Sequence, residues 1–158
     1  MVGQPKTLLV YVTAGGATEQ YARVVAEALR SRGHAVDVVD LKRDRVADLS
    51  PYANVIVGSG VRMAMVYRAA KQFLGRKDLE GKRLAVFLSS GIAVQDREKA
   101  RERFLTPLVT KLSLTPVMYT ALPGITPGQA GKGKDTSDLE GARQWALELA
   151  GKLEGGAR

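Results

Sequence analysis

The stretch TLLVYVTAGGATEQYARVVAEALRSRG, residues 7–33, decides the fold class of this chain. It opens on a nearly continuous apolar run, Thr7 to Val12, which is typical of a strand buried on both faces. Apolar residues then recur at helical spacing from Ala22 to Leu29, and Gly33 can end that helix. Between the two elements lies a turn in which two glycines are flanked by threonines, Thr13 to Thr18.

The same alternation of strand and helix continues along the chain. Further strands are expected at Ala35–Leu41, Asn54–Ser59, Arg83–Ser90 and Thr115–Leu122. Helical patterns cover 66–74, then 95–114 with a kink or break near Pro107, then a last segment behind a capping box of Ser137 and Glu140. Because no internal repeat or linker interrupts this order, we expect one domain over residues 1–158, with a parallel sheet covered by helices on both faces.

Composition narrows the function classes. The chain has 158 residues, no cysteine and a formal net charge of +8. Disulfides, thiolate catalysis and cysteine-held metals are therefore excluded, no metal site is expected, and a cytoplasmic location is the default expectation. The basic residues come without aromatic interleaving or a nucleic-acid motif, so dedicated nucleic-acid binding is not expected.

Three loops follow the first, third and fourth predicted strands, and parallel sheets bind ligands at the edge where such loops meet. They are Thr13–Thr18, Ser59–Met65 and Ser89–Val94. In the first loop, glycines allow backbone N–H groups to turn inward, threonine hydroxyls can donate, and the helix N-terminus favours negative charge. A phosphate cradle and a plain turn, with Thr18 as the helix cap, both remain open on this chemistry.

A resemblance to a known family bears on that choice. The first loop resembles that of the flavodoxins, where the pattern threonine or serine, any residue, threonine, glycine, any residue, threonine wraps the phosphate of FMN. Thr13, Gly16 and Thr18 match the pattern, and Gly15 stands where a central threonine or serine is usual. The similarity extends over nearly the whole chain. It is closest to the branch that includes menaquinone-dependent protoporphyrinogen oxidase, through the stretches 58–74 and 97–112.

The resemblance implies a three-layer flavodoxin-like α/β fold with a five-stranded sheet in the order 2-1-3-4-5. It also implies noncovalent FMN and a role in electron transfer or as a flavin-dependent oxidoreductase. The implied cofactor-binding residues are Thr13, Ala14, Gly15, Gly16, Ala17, Thr18, Ser59, Gly60, Val61, Arg62, Met63, Ser89, Ser90 and Gly91. Arg62 is expected to contact the phosphate or the flavin's pyrimidine edge, or else to be an ordinary exposed arginine. Tyr67, beside an apolar helical stripe, is assigned to packing.

Two departures from the family pattern favour a second hypothesis. The flavin-facing loops lack the tryptophan and tyrosine that flavodoxins often stack on the flavin, and Gly15 removes one side-chain donor from the first loop. A flavodoxin fold that has lost the cofactor and acts as a binding or regulatory module is therefore the alternative function. For the redox protein, the basic surface predicts an acidic partner protein, an anionic membrane surface or a quinone-like acceptor.

Overall fold

The computed structural model describes residues 6–13, 16–62, 65–126, 134–135 and 138–155. The strands in these ranges are β1 (Lys6–Val12), β2 (Val36–Asp40), β3 (Tyr52–Arg62), β4 (Met65–Val66), β5 (Arg83–Ser90), β6 (Met118–Pro123), β7 (Ile125–Thr126) and β8 (Lys134–Asp135). The α-helices are α1 (Ala17–Ser31), α2 (Arg68–Leu74), α3 (Arg97–Ala100), α4 (Thr106–Lys111) and α5 (Leu139–Gly155). Short 3₁₀ turns cover Lys77–Leu79 and Ile92–Val94, and a π-helical turn covers Arg101–Leu105.

Five strands form a parallel sheet in the order β2-β1-β3-β5-β6. This order confirms the predicted fold, because β5 and β6 are the fourth and fifth strands of the main sheet in chain order. Since β1 has β2 on one side and β3 on the other, the chain reverses its direction of travel across the sheet at β1. A crevice is expected beside the carboxyl end of the strand at such a point.

Both faces of the sheet are buried, and successive strand residues serve opposite faces. Leu8 and Val10 pack on the side of α2 and α4, whereas Leu9 and Tyr11 pack on the side of α1 and α5. This alternation explains the uninterrupted apolar runs in the sequence. No helix in the described part of the chain is long and apolar enough to cross a membrane.

The loop predicted at Ser59–Met65 is partly strand, so that prediction was wrong. β3 continues to Arg62, and β4 returns antiparallel to it, pairing Val66 with Val61 and Met65 with Arg62. Two residue pairs are too few to produce a period-2 pattern, so the hairpin could not be found by periodicity.

Two predictions about helix ends have different outcomes. The kink or break predicted near Pro107 takes the form of a π-helical turn that ends at Leu105, two residues before the proline. The helix does not break there, because Leu105 and Thr106 both keep right-handed helical backbone. The capping box was misplaced: α5 begins at Leu139, and the carboxylate of Asp138 accepts the N–H of Gly141 at 2.8 Å. Ser137 lies outside the described residues.

Gly58, in the middle of β3, leaves room for a core ring. A Cβ atom at this position would lie 2.2 Å from Phe87 Cζ, and Phe87 in turn packs edge-on against Trp145.

We predict that Gly58→Ala lowers the free energy of unfolding by about 1–3 kcal/mol through overpacking, measured by urea denaturation. Gly151→Ala is the control, because nothing lies within 4 Å of its Cβ position on α5. Its greater helix propensity should raise stability by about 0.5–1 kcal/mol. Wild-type stability in Gly58→Ala would contradict the packing account.

Candidate functional site

A pocket of about 100 Å³ opens at the carboxyl edge of the sheet, beside the end of β1. Its lining consists of small, hydroxyl-bearing and apolar residues: Thr13, Ala17, Thr18, Gly60, Val61, Tyr67, Ser89, Ser90, Gly91 and Gly124. Pockets that enclose a drug-sized ligand usually measure about 300–1,000 Å³. This one therefore suits a group about the size of a phosphate, and the rest of a larger ligand would lie outside it.

The turn between β1 and α1 forms the first wall. Gly16 has a φ of 92°, a left-handed conformation that side chains disfavour, and its N–H donates to Thr13 Oγ1 at 3.0 Å. The helix begins at Ala17, directly after this glycine. Its first N–H groups have no acceptor within the helix itself, and they lie at the positive end of the helix dipole.

Thr18 is the second residue of α1 and not its cap, so the capping role proposed from the sequence was wrong. Its Oγ1 lies 2.7 Å from Ser89 Oγ at the end of β5, and both side chains are buried. A hydrogen bond between hydroxyls therefore joins the start of α1 to the end of β5, across a separation of 71 residues in the sequence.

The β3–β4 hairpin forms the second wall. A Cβ atom at Gly60 would lie 3.0 Å from Tyr67 Cε2, 3.4 Å from Thr18 Oγ1 and 3.8 Å from Ser89 Oγ. The contact with Tyr67 is tight, so a side chain at this position would require the ring to shift by a few tenths of an ångström, whereas the distances to Thr18 and Ser89 are ordinary van der Waals contacts. Tyr67 was assigned to packing from the sequence, but it lines the pocket, with the Lys42 ammonium 5.8 Å from its ring centroid.

The end of β6 forms the third wall and was also missed in the sequence. The Gly124 N–H donates to the Ser90 carbonyl at 3.0 Å, and a Cβ at Gly124 would lie 3.1 Å from the Ser90 nitrogen. The hydroxyl of Tyr21 supports this wall from below. It donates to the Pro123 carbonyl and accepts the Asp138 N–H at 2.9 Å, which links α1, β6 and the start of α5.

The pocket is rich in hydrogen-bond donors. Thr13 Oγ1 accepts from Gly16, Ser90 Oγ accepts from the Ile92 N–H at 3.2 Å, and one partner of the Thr18–Ser89 pair accepts from the other. A hydroxyl has a single proton, and the bonds to Thr13 and Ser90 use only their oxygens. Among the residues that the structure describes, Thr13, Ser90 and the Thr18–Ser89 pair each keep one proton without an acceptor. The site is thus equipped to donate to an anion.

No carboxylate appears among the described lining residues. Glu19, in the first turn of α1, is held elsewhere: it accepts from Tyr11 Oη at 3.2 Å and pairs with Arg23 at 2.8 Å. Burial, together with the nearby carboxylates of Asp40 and Glu19, raises the pKa of Tyr11, so its hydroxyl stays a donor at neutral pH. Repulsion of a bound anion by Glu19 is thereby reduced.

Most of the cofactor-binding residues predicted from the sequence line this pocket, and the others do not or lie outside the described residues. The structure brings together eight of them on the pocket lining: Thr13, Ala17, Thr18, Gly60, Val61, Ser89, Ser90 and Gly91. The Ser59 hydroxyl instead donates to the Gly60 carbonyl at 2.8 Å, away from the lining. Ala14, Gly15 and Met63 lie outside the described residues, and for Arg62 only the backbone, at the end of β3, is described.

A larger groove of about 360 Å³ lies at the opposite, amino edge of the sheet. Two of the three cations that line it already have partners: Arg76 donates to the Val46 and Ala47 carbonyls and pairs with Asp78, and Lys82 donates to the Tyr52 carbonyl. These contacts give the two cations a structural role, so the carboxyl-edge pocket is the stronger candidate for ligand binding.

A comparison with known protein families agrees with the fold described above. Residues 8–123 match the family described as the flavodoxin domain. Because this match covers more than half of the chain, the protein belongs to the flavodoxin domain family. A search of curated proteins found no significant match.

Solved structures show the same fold. Flavodoxin 2 of Bacillus cereus is 23% identical, with a TM-score of 0.66 over 93% of this chain and 99% of its own. Flavodoxin 1 of the same organism is 21% identical, with a TM-score of 0.64 over 92% of this chain and 97% of its own. The rubredoxin oxygen:oxidoreductase of Desulfovibrio gigas is 21% identical, with a TM-score of 0.68 over 96% of this chain. This chain spans only 37% of the length of that enzyme.

The carboxylate of Asp138, at the start of α5, is expected to stabilise the protein in a pH-dependent way. A hydrogen bond from Arg97, and a second from the Gly141 N–H, lower the pKa of Asp138. A carboxylate whose pKa is lowered by folding stabilises the protein above its unfolded pKa of about 3.9 and loses that contribution as the pH falls further. Asp138→Ala should therefore reduce the free energy of unfolding by about 1 kcal/mol at pH 7, and the difference from wild type should shrink below pH 4.

Asp138→Asn is the control, because asparagine also caps helices and should retain most of the stability at pH 7. Urea denaturation at several pH values measures all three proteins. A difference between wild type and Asp138→Ala that stays constant from pH 7 to pH 2 would contradict the assigned role of the carboxylate.

Proposed function

We propose that this flavodoxin-domain protein binds FMN noncovalently and serves as a redox protein, with the phosphate of FMN in the carboxyl-edge pocket. The observation that carries the proposal is the donor-rich, carboxylate-free lining, which holds three uncommitted hydroxyl protons beside a helix N-terminus. A phosphate monoester offers only acceptors at neutral pH once it is fully ionised, so the two are chemically complementary.

Different residues of the pocket would make different contributions to binding the phosphate. Thr13, Ser90 and the Thr18–Ser89 pair would donate hydroxyl protons to the phosphate, and the first N–H groups of α1 would add backbone donors. Gly16 sets the direction in which these N–H groups point, through its left-handed conformation. Tyr67 closes the pocket against Gly60, which excludes water from one side of the site.

FMN, when bound, supplies the transfer of electrons or hydride, which no side chain of this pocket can perform. The residues of the chain bind and orient the cofactor. A closer relation to the menaquinone-dependent protoporphyrinogen oxidase branch stays a prediction, supported by the sequence similarity of stretches 58–74 and 97–112.

The first test of this proposal is a titration with FMN and with riboflavin, which lacks the phosphate. FMN should bind with altered visible absorbance and quenched fluorescence, and riboflavin should bind much more weakly. Gly16→Ala should weaken FMN binding on the order of ten-fold, because the strain of about 1–2 kcal/mol at positive φ turns the helix-start N–H groups away.

Gly33→Ala is the matched control. Gly33 has a φ of 90°, close to that of Gly16, and follows the other end of α1. Both variants suffer the same backbone strain, but only the one at the pocket should change FMN affinity. Absence of any spectral or thermal response to excess FMN would overturn the proposal and support the binding or regulatory module instead.

We further propose that the redox partner is an acidic protein that docks around the mouth of the pocket. Lys42 lies over Tyr67, and Met65 on the hairpin is 59% exposed. Two more exposed cations lie next to these residues in the chain: Arg68, and Arg43, which pairs with Asp40 at 3.7 Å. Cations around a partly apolar patch favour a partner with carboxylates at its contact surface.

Small oxidants of opposite charge test the field at this surface. FMN-loaded protein, reduced chemically, should react faster with ferricyanide than its driving force predicts, and added salt should remove the excess rate. Lys42→Glu should lower the ferricyanide rate several-fold at low salt and raise the rate with hexaammineruthenium(III). Lys77→Glu makes the same charge change at the amino edge and should have a much smaller effect. Equal effects of the two variants would refute a local basic docking surface.

A further inference from the structure

The hydroxyls of Thr18 and Ser89 form a single unit that has one proton left to give. Each hydroxyl has one proton and two lone pairs, and the bond of 2.7 Å between them consumes one of the two protons. Thr18 is 1% exposed and Ser89 is 6% exposed, so water cannot readily replace either partner. The direction of this one hydrogen bond therefore decides which residue can donate into the pocket.

The surroundings of the pair indicate that direction. Thr18 belongs to the first turn of α1, whose backbone N–H groups attract an anion, so its Oγ1 lies on the same turn as those donors. Ser89 belongs to β5 and reaches the pocket from the sheet. Thr18 is also β-branched and helical, which restricts the rotation of its side chain. The free proton is most useful on the hydroxyl that already lies beside the other donors, which is that of Thr18.

We propose that Ser89 is a positioning residue of the phosphate site: it donates to Thr18 Oγ1 and thereby directs the Thr18 proton to the anion. This inference rests on the FMN site proposed above. A hydroxyl that accepts a hydrogen bond is polarised and becomes a better donor. Ser89 thus contributes to phosphate binding through Thr18, although Ser89 belongs to β5 and Thr18 to α1.

The test compares Thr18→Val, Ser89→Ala and the double variant, each titrated with FMN and riboflavin by fluorescence. Thr18→Val keeps the shape of the side chain and should weaken FMN binding on the order of ten-fold, the usual effect of losing one hydrogen bond to a charged group. Ser89→Ala should weaken FMN binding by a comparable factor. The double variant should be no worse than Thr18→Val, because both changes remove the same donor. Riboflavin affinity should be unchanged throughout.

Thr7→Val is the control for lost stability. It removes another buried hydroxyl, which accepts from Asn54 Nδ2 at 3.0 Å near the amino edge, and should lower stability without changing FMN affinity. If Ser89→Ala folds poorly, Ser89→Cys poses the same question, since a thiol of similar shape is a weak donor and should give an intermediate loss.

The outcomes separate this inference from the proposed function. Unchanged FMN affinity in Ser89→Ala, alongside a loss in Thr18→Val, would overturn the positioning role and leave the FMN site intact. Losses that multiply in the double variant would also overturn it, because the two hydroxyls would then bind the phosphate independently. Failure of the wild-type protein to bind FMN would instead overturn the proposed function.

Discussion

The structure depends on one constraint, the burial of both faces of a parallel sheet. Helices must cover each face, so every connection between neighbouring strands crosses over the sheet and returns to its amino edge. At β1 the connections change direction, with α1 on one face and α2 on the other. The pocket lies at this point because the covering helices diverge there, and the N-terminus of α1 lies at its wall.

Within this fold, glycines occupy the positions at the site where strands, helices and side chains approach one another closely. Gly60 allows Tyr67, Thr18 and Ser89 to converge, and Gly124 allows the end of β6 to reach the backbone of Ser90. Gly16 supplies the left-handed conformation that turns the chain from β1 into α1. The pocket that results is lined by neutral donors in its described part, and the cations lie outside it. Under the proposed function, charge would act on approach and docking, whereas hydrogen bonds would hold the bound group.

Much of the fold could be predicted from the sequence because burial leaves a direct pattern. The strand predicted at Arg83–Ser90 has the same limits in the structure, since every residue after Arg83 is apolar or small and the strand lies between turn residues. The β3–β4 hairpin could not be predicted, because two residue pairs produce no period. The cap of α5 was placed one residue too early, since Ser137 and Asp138 are both good caps and only the backbone decides between them.

The candidate site was predictable only where its residues follow one another in the chain. The loop at Thr13 to Thr18 carries a recognisable pattern, and Ser89 and Ser90 are the last two residues of an obvious strand. Gly124 and Tyr67 were missed because their place in the pocket depends on tertiary approach, of β6 to Ser90 and of a ring to Gly60. The bond between Thr18 and Ser89 likewise has no sequence signature, since it joins residues 71 positions apart.

The proposed function requires that the carboxyl-edge pocket hold the phosphate of FMN, and this claim can be tested on its own. The most direct test is a titration of isotopically labelled protein with FMN, followed by backbone amide NMR and by phosphorus NMR of the cofactor. We predict large shifts for the amides of Ala17, Thr18 and Gly91, smaller ones along the hairpin, and a phosphorus resonance displaced from that of free FMN. Shifts confined to the groove at the amino edge, or an unchanged phosphorus resonance at saturating protein, would contradict the claim.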